Sequence, residues 1–193
     1  YKEGSKKHYV INNLNFQIHK GEILGLLGRS GLGKTTISKT LLGIHKHYTG
    51  EVINKATYSQ MVFQDPFSSL NPSKTIGWIL EEPLKVREHM ERDKRKETVE
   101  EMLVKVGLGK EFARRKPAEL SGGQRQRVSI ALALIGGADF IIADEPVSAL
   151  DVTIQAQILE LLLSLQKEFG LSMLFISHDI HVIDKMCDRI INI

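Results

Sequence analysis

A short glycine-rich stretch, Gly28–Thr36, contains residue types that can bind a phosphate group. Its glycines let the backbone curl so that several N–H groups point at one anion. An apolar run typical of a buried strand precedes it, and a helical pattern follows, whose N-terminus would add a positive dipole. This pattern disfavours an ordinary glycine-rich turn and predicts a nucleotide site, whose contacts we assign to Gly28, Arg29, Ser30, Gly31, Gly33, Lys34, Thr35 and Thr36.

Two acids, Asp144 and Glu145, follow the apolar run 140–143, which is typical of a buried strand. In an open parallel sheet, ligands collect at the carboxyl ends of the strands. These acids should therefore lie beside the glycine-rich stretch Gly28–Thr36, which we call the phosphate loop. Asp144 could then reach Mg²⁺ together with the Thr35 hydroxyl. Glu145 would point differently and could orient or deprotonate an attacking water. A pair of capping acids is the plainer alternative, and the phosphate loop makes it the minor one.

A second candidate anion site lies at Ser121, Gly122, Gly123 and Gln124, just before a helical pattern. A serine followed by two glycines at a helix start can expose several backbone N–H groups to a phosphate. Serine is also a common helix N-cap, which is the simpler interpretation. One small domain cannot easily place two such helix starts on a single nucleotide, so the pattern leaves a puzzle.

Alternating strand and helix patterns predict an α/β domain with a mainly parallel sheet that is covered on both faces. Between them, residues 67–116 have only helical patterns, which indicates a helical insertion. Strands are predicted at 9–19, 51–53, 58–63, 140–143, 171–176 and 189–193, besides the strand before the phosphate loop. Helices are predicted from the loop to about residue 44 and at 76–86, 92–106, 122–134, 151–169 and 180–186.

The bulk composition is that of an ordinary globular protein, with 42% hydrophobic and 25% charged residues in 193. A net charge of +3 gives no support for a nucleic-acid partner, so none is expected. Cys187 is the one cysteine, which excludes an intrachain disulfide and fits a reducing compartment. No apolar run approaches the length of a membrane helix, and we expect a chain that is soluble by itself and continues at both ends in the natural protein.

Several motifs, taken in order and spacing, resemble those of ABC-type ATPase domains. They are Gly28–Thr35, Gln64, Leu120–Gln124, Phe140–Glu145, Ser148–Asp151 and His178. The resemblance covers nearly the whole chain and implies a P-loop NTPase fold with a mainly parallel sheet, a small antiparallel β edge and a helical subdomain. It also implies a head-to-tail dimer in which Ser121–Gln124 of one subunit closes on ATP held by the other, which would resolve the two-site puzzle.

The resemblance implies further roles, residue by residue. Gln64 would sense Mg²⁺ and the attacking water, so the implied metal set is Thr35, Gln64 and Asp144. Glu145 would be the catalytic carboxylate, and His178 would touch the γ-phosphate. Residues 148–151 would cross the dimer interface. Tyr1 is the candidate for stacking on adenine, with Tyr9 as the rival.

Residues 61–72 resemble the ATPase subunits of peptide and nickel importers. The partners implied are a second ATPase subunit, either identical to this chain or different from it, membrane permease subunits and, indirectly, a solute-binding protein. The permease subunits would hold the chain at the cytoplasmic face of the membrane. One domain is expected over 1–193, with a RecA-like core at 1–65 and 117–193 and a helical subdomain at about 66–116. The segment 50–61 is shorter than is common in this family, so the antiparallel edge should be small.

Two other functions stay open at this point. A soluble ABC ATPase acting on nucleic acid or ribosomes would share the same motifs, although such chains usually contain coiled coils or tandem domains. A P-loop kinase for a small molecule would have no need for Leu120–Gln124. The histidine pair His45 and His47 has a spacing that can bind metal, but a charged surface loop is the better interpretation.

Overall fold

A five-stranded parallel sheet lies at the centre of the fold, with its strands in the order Ser59–Val62, Phe140–Asp144, Ser172–Ser177, Ile23–Leu27 and Arg189–Asn192. The computed structural model describes residues 2–3, 6–7, 11–29, 31–87 and 90–193, so Tyr1, Tyr9 and Ser30 lie outside the described residues. The strands are β1 (Lys2–Glu3), β2 (Lys6–Lys7), β3 (Ile23–Leu27), β4 (Ser59–Val62), β5 (Phe140–Asp144), β6 (Ser172–Ser177) and β7 (Arg189–Asn192). β1 and β2 form a separate antiparallel pair.

Seven α-helices accompany the sheet in the described part of the chain. They are α1 (Lys34–Leu41), α2 (Pro66–Ser69), α3 (Ile76–Arg87), α4 (Arg92–Lys105), α5 (Gly122–Ile135), α6 (Val152–Phe169) and α7 (Ile180–Met186). Two short 3₁₀ turns, Lys110–Arg114 and Pro117–Glu119, connect α4 to α5. Apart from the end of α1, the predicted helices and the strands at the sheet centre are confirmed with small shifts at their ends.

Two apolar clusters cover the two faces of the sheet, as expected for parallel strands. Along β3, Ile23 joins one cluster and Leu24 and Leu26 join the other. The larger cluster continues from the sheet into α3 and α4, through buried residues that include Leu80 and Leu103. From Pro66 to Leu120 the described residues contain helices and turns and no strand. The division into a core and a helical subdomain stays a prediction.

The strand predicted over 9–19 is wrong for its described part, residues 11–19. The alternation itself is present, because Leu14, Phe16 and Ile18 are partly buried against the core. The backbone, however, bonds to side chains instead of a neighbouring strand. The Gln17 carbonyl accepts from Arg189 Nη2 at 2.7 Å, and the His19 N–H donates to a Glu22 carboxylate oxygen at 2.6 Å.

Two smaller predictions are also wrong. Residues 51–53 form no strand. Helix α1 ends at Leu41 rather than near residue 44, because Gly43 adopts a φ of +71° just beyond it. There the Ile44 N–H donates to the Lys39 carbonyl at 2.8 Å and the Gly43 N–H donates to the Thr40 carbonyl at 3.0 Å. This pair of bonds is a Schellman motif, which ends a helix through a left-handed glycine.

The carboxyl ends of β3, β5 and β6 meet at one edge of the sheet, with β6 between the other two. β3 and β6 run in register, with Leu27 opposite Ser177, and β5 and β6 place Asp144 opposite Ile176. The glycine loop follows β3, His178 follows β6, and the acid pair lies at the end of β5, whose last residue is Asp144. The sheet thereby brings together residues that lie far apart in the sequence.

Candidate functional site

Two left-handed glycines shape the loop after β3. Gly31 and Gly33 have φ values of +86° and +89°, and Gly33 is the N-cap of α1 without any side-chain capping bond. A β-carbon at Gly28 would lie 2.8 Å from Ile193 Cγ1, so this position also requires glycine. The loop therefore leaves the N–H groups at the start of α1 available to an anion. Arg29 at its rim is exposed.

Lys34 lies buried under this loop, with 6% of its surface exposed. Its Nζ donates to the Gly28 carbonyl at 2.6 Å and the Arg29 carbonyl at 3.2 Å. The same ammonium group lies 3.3 Å from Glu145 Oε1. This buried ammonium lies next to the helix start, where it could bind a phosphate group by exchanging its Glu145 contact for phosphate oxygens.

Thr35 and Asp144 join the loop to the end of β5. The exposed Thr35 hydroxyl donates to Asp144 Oδ2 at 3.1 Å. Burial raises the pKa of Asp144 above its usual range, opposed by the Thr35 hydrogen bond and by the charge of Lys34. One hydroxyl and one carboxylate are a donor set that suits Mg²⁺, which takes its other ligands from water and substrate phosphates. In the described ranges no three His, Cys, Asp or Glu side chains cluster as a metal site.

Glu145 is buried and has a φ of +47°, which is uncommon for a residue with a side chain. Despite this conformation, its N–H still donates to the Ile176 carbonyl at 3.0 Å, so the hydrogen bonding between β5 and β6 extends to Glu145. Its two carboxylate oxygens have different partners. Oε1 faces Lys34, and Oε2 lies 2.8 Å from Nδ1 of His178, whose side chain is about half exposed. The carboxylate is thereby held at the mouth of the phosphate loop.

Gln64 reaches the same group of residues through Ser148. Gln64 Nε2 donates to Ser148 Oγ at 3.3 Å, and Ser148 Oγ donates to the Glu145 carbonyl at 3.2 Å. The family resemblance assigned Ser148 only to a loop at the dimer interface. Its hydrogen bonds to Gln64 and Glu145 were not predicted. A signal existed, because Pro146 favours a β-turn that begins at Glu145 and would bring Ser148 back to its carbonyl.

Ser121 and Gln124 form a capping box at the start of α5. Ser121 Oγ accepts from the Gln124 N–H at 3.3 Å, and Gln124 Oε1 accepts from the Ser121 N–H at 3.0 Å. A β-carbon at Gly123 would lie 2.6 Å from Ile154 Cγ2, and one at Gly122 would lie 3.4 Å from Leu150 Cδ2. The glycines therefore allow α5 to begin close against the 148–154 segment.

An open groove of about 330 Å³ lies beside this helix start. Its lining includes Ser121, Gly123, Gln124 and Arg127, and no described residue of the phosphate loop. The structure thus brings together Lys34, Thr35, Gln64, Asp144, Glu145 and His178. Within the described chain, no hydrogen bond or ion pair joins Ser121–Gln124 to that group.

None of the helices in the described part of the chain is long and apolar enough to cross a membrane. The ABC transporter family profile matches residues 11–148. The oligopeptide transport ATP-binding protein AppF of Bacillus subtilis is 45% identical, over 94% of this chain and 60% of its own length. The oligopeptide transport ATP-binding protein AmiF of Streptococcus pneumoniae is also 45% identical, over 97% of this chain and 67% of its own length.

The fold of this chain also matches a solved structure of an ATP-binding cassette. The ATP-binding cassette MJ0796, in a dimeric post-hydrolysis state bound to ADP and Pi, matches with a TM-score of 0.87 at 33% identity. That match covers 100% of this chain and 90% of the other. The present chain spans only 60% to 67% of the two curated relatives. On the sequence profile, the identities and the fold, the chain belongs to the ABC transporter family.

Proposed function

We propose that this chain is the ATP-hydrolysing subunit of an ABC importer for peptides. The observation that carries the proposal is the Glu145 carboxylate, held between Lys34 and His178 beside the Thr35–Asp144 pair. These groups come from three strand ends and converge at one helix start. The printed names of the relatives, which are oligopeptide transport ATP-binding proteins, support the substrate class.

The phosphate loop and Lys34 bind the β- and γ-phosphates in this proposal. Thr35 and Asp144 would hold Mg²⁺, assisted by Gln64, and the ion would neutralise charge on the phosphates. Glu145 orients the attacking water and accepts its proton, and His178 contacts the γ-phosphate. Lys34 and His178 hold the Glu145 carboxylate before substrate arrives. When ATP binds, the Lys34 ammonium would exchange its Glu145 contact for phosphate oxygens, because all three of its N–H donors are already in use.

The second anion site completes the proposal at the level of a dimer. Ser121–Gln124 starts a helix away from the phosphate loop, so a second subunit would supply it to the first subunit's ATP. The solved relative that is dimeric and bound to ADP and Pi supports this arrangement. A head-to-tail dimer would contain two such composite sites, each built from both chains.

Membrane permease subunits are the further partners we propose, contacted through the helical segment at about 66–116. They would hold the chain at the cytoplasmic face of the membrane, and a solute-binding protein would deliver the substrate. Nickel is the other cargo class suggested by residues 61–72. Uptake of a labelled peptide, but not of radioactive nickel, by vesicles containing the complete transporter would support the peptide assignment.

Replacing the proposed catalytic carboxylate tests the activity. Glu145→Gln should retain ATP binding, because the phosphate loop and Lys34 are unchanged and a neutral amide competes less than a carboxylate for the Lys34 ammonium. Phosphate release should fall by about 10²-fold or more, since an amide cannot take the proton from water. The variant should accumulate as a dimer with Mg-ATP, measured by gel filtration with light scattering.

Glu160→Gln is the matched control, because Glu160 is an exposed glutamate on α6. It should hydrolyse ATP at the wild-type rate. Undiminished turnover in Glu145→Gln would remove the assigned role from Glu145. ATPase activity that is stimulated by ribosomes or DNA, and not by the permease in vesicles, would favour the soluble ABC ATPase over the importer.

A further inference from the structure

The backbone of Glu145 is held by a neighbour that the reaction scheme above does not use. The Glu145 carbonyl accepts two hydrogen bonds from Ser148, one from its N–H at 3.3 Å and one from its Oγ at 3.2 Å. The first bond closes a β-turn over residues 145–148. The second is a side-chain bond that fixes the same carbonyl from another direction. One serine therefore determines the orientation of the peptide group that follows Glu145.

This orientation matters because Glu145 has a left-handed backbone. A φ of +47° at a glutamate is sparsely populated and costs free energy unless the surrounding contacts hold it. The backbone conformation in turn sets the direction of the side chain, whose two oxygens face Lys34 and His178. A change of φ at this residue would move the carboxylate away from both partners.

Ser148 also links this backbone to a second strand end. Its Oγ accepts from Gln64 Nε2 at 3.3 Å while donating to the Glu145 carbonyl. Gln64 follows β4, and Glu145 follows the neighbouring β5. A movement of the segment after β4 would thereby be transmitted to Glu145 through the Ser148 hydroxyl group.

We propose that Ser148 is a positioning residue that holds Glu145 in its left-handed conformation and couples it to Gln64. The inference rests on the proposed ATPase function. It assigns Ser148 a role within its own subunit, separate from contact across the dimer interface. The hydroxyl group acts as donor to a carbonyl and acceptor from an amide, and alanine can do neither.

The test is steady-state hydrolysis of Mg-ATP by the purified chain. Ser148→Ala removes both side-chain hydrogen bonds of the residue, and it should lower kcat about three- to tenfold and leave KM within about twofold. Ser148→Thr keeps the hydroxyl group and should recover most of the rate. Gln64→Ala should lower kcat by a smaller factor in the Ser148→Ala background than in the wild type, because the two residues share one link.

Ser164→Ala is the matched control, since the exposed Ser164 Oγ on α6 also donates to a carbonyl three residues earlier, that of Leu161, at 2.8 Å. It should leave kcat unchanged. Equal rates in Ser148→Ala and Ser164→Ala would overturn the inference, as would fully multiplicative effects of Gln64→Ala and Ser148→Ala. A raised KM, together with loss of the Mg-ATP dimer in Glu145→Gln/Ser148→Ala, would also overturn it in favour of an interface role.

The ATPase rates of the wild-type chain and of Ser148→Ala together distinguish the role of Ser148 from the ATPase function itself. A wild-type chain without ATPase activity, alone or with its permease, would contradict the proposed function itself. A wild-type chain that hydrolyses ATP, with Ser148→Ala at the same rate, would contradict only the role of Ser148.

Discussion

Asp144 is buried at some cost to the stability of the fold, and its proposed role in holding Mg²⁺ would explain why a carboxylate stands there. It is buried at the end of β5, and this burial raises the pKa of its carboxyl group despite the Thr35 hydrogen bond. A folded-state pKa above the unfolded value means that the ionised form at neutral pH is disfavoured by folding. This penalty is fully present above the folded pKa and disappears as the pH falls below the unfolded value, near 3.8.

Asp144→Asn should therefore raise the thermal unfolding midpoint of the chain at pH 7. The amide keeps an oxygen acceptor for Thr35 and removes the buried charge. The gain over the wild type should shrink as the pH falls towards 4, because the wild-type carboxyl group then becomes neutral as well. Calorimetry of both proteins across this pH range measures the effect, and affinity for Mg-ATP should fall in the same variant.

Glu160→Gln is the control for this prediction, since it removes the charge of an exposed carboxylate in the middle of α6. It should leave the unfolding midpoint nearly unchanged at every pH. A midpoint of Asp144→Asn at or below that of the wild type at pH 7 would contradict the interpretation of Asp144 as a carboxylate kept for its ligand.

At this scale the sequence predicted which side chains converge, and it missed how some of them are held. The loop motif and the acids after a buried strand predicted that Lys34, Thr35, Asp144 and Glu145 lie together. The sequence did not predict the ion pair of Lys34 with Glu145 or the positive φ of Glu145. Both depend on the register between β5 and β6, which no local pattern encodes.

Among the elements, buried strands and capped helices were the most predictable. A helix was predicted to begin at residue 151, and Asp151 is indeed the N-cap of α6, because its carboxylate accepts from the Ile154 N–H at 3.0 Å. The stretch 11–19 was mispredicted because alternation shows which face is buried and not whether a partner strand exists. Its carbonyl and N–H groups bond to Arg189 and Glu22, which are distant in the sequence or belong to the following turn.

The contact between β3 and α7 depends on a glycine in the strand that leads to the phosphate loop. A β-carbon at Gly25 would lie 2.9 Å from Cys187 Sγ and 3.0 Å from Ile183 Cγ2. Burial raises the pKa of Cys187 to about 12, so its thiol is neutral and packs as an apolar group. The helix can lie this close to the sheet because Gly25 has no side chain.

Gly25→Ala should destabilise the chain by about 1–3 kcal/mol through overpacking at this contact. Chemical denaturation with urea, followed by circular dichroism, measures the loss. The added methyl group would push α7 away from β3.

Cys187→Ala provides a matched background for the same measurement. Removal of the thiol opens space for the new methyl group, so Gly25→Ala should cost less there than in the wild type. An equal cost in both backgrounds would show that Cys187 does not limit the space at Gly25.

At the scale of the whole molecule, the described chain has two candidate anion sites that no hydrogen bond or ion pair joins. In the proposed function, Lys34 and its neighbours are one half of an ATP site and the capped start of α5 is the other, beside a groove that no described residue of the phosphate loop lines. A head-to-tail dimer would pair each half with its complement on the second subunit. The sequence motifs suggested this pairing only through the family, because geometry between chains leaves no periodic signal in one chain.

Two inactive variants should then restore activity when they are mixed. Lys34→Ala lacks a working phosphate loop and keeps Ser121, whereas Ser121→Arg keeps the loop and blocks the second half-site. Each homodimer has no intact site, but the mixed dimer has one, formed by the loop of one chain and the helix start of the other. Equal amounts should recover about a quarter of the wild-type ATPase rate if subunits exchange at random and sites act independently.

The control is a mixture of Lys34→Ala with the double variant Lys34→Ala/Ser121→Arg, which should stay inactive because no intact loop is present. Phosphate release, measured after incubation long enough for subunit exchange, reports the result. Recovery in the first mixture alone would require that residues of both chains act on one ATP. If Ser121→Arg by itself hydrolysed ATP at the wild-type rate, the start of α5 would have no part in the reaction. That outcome would favour a site complete within one chain, as in a P-loop kinase, over the composite site that a dimer provides.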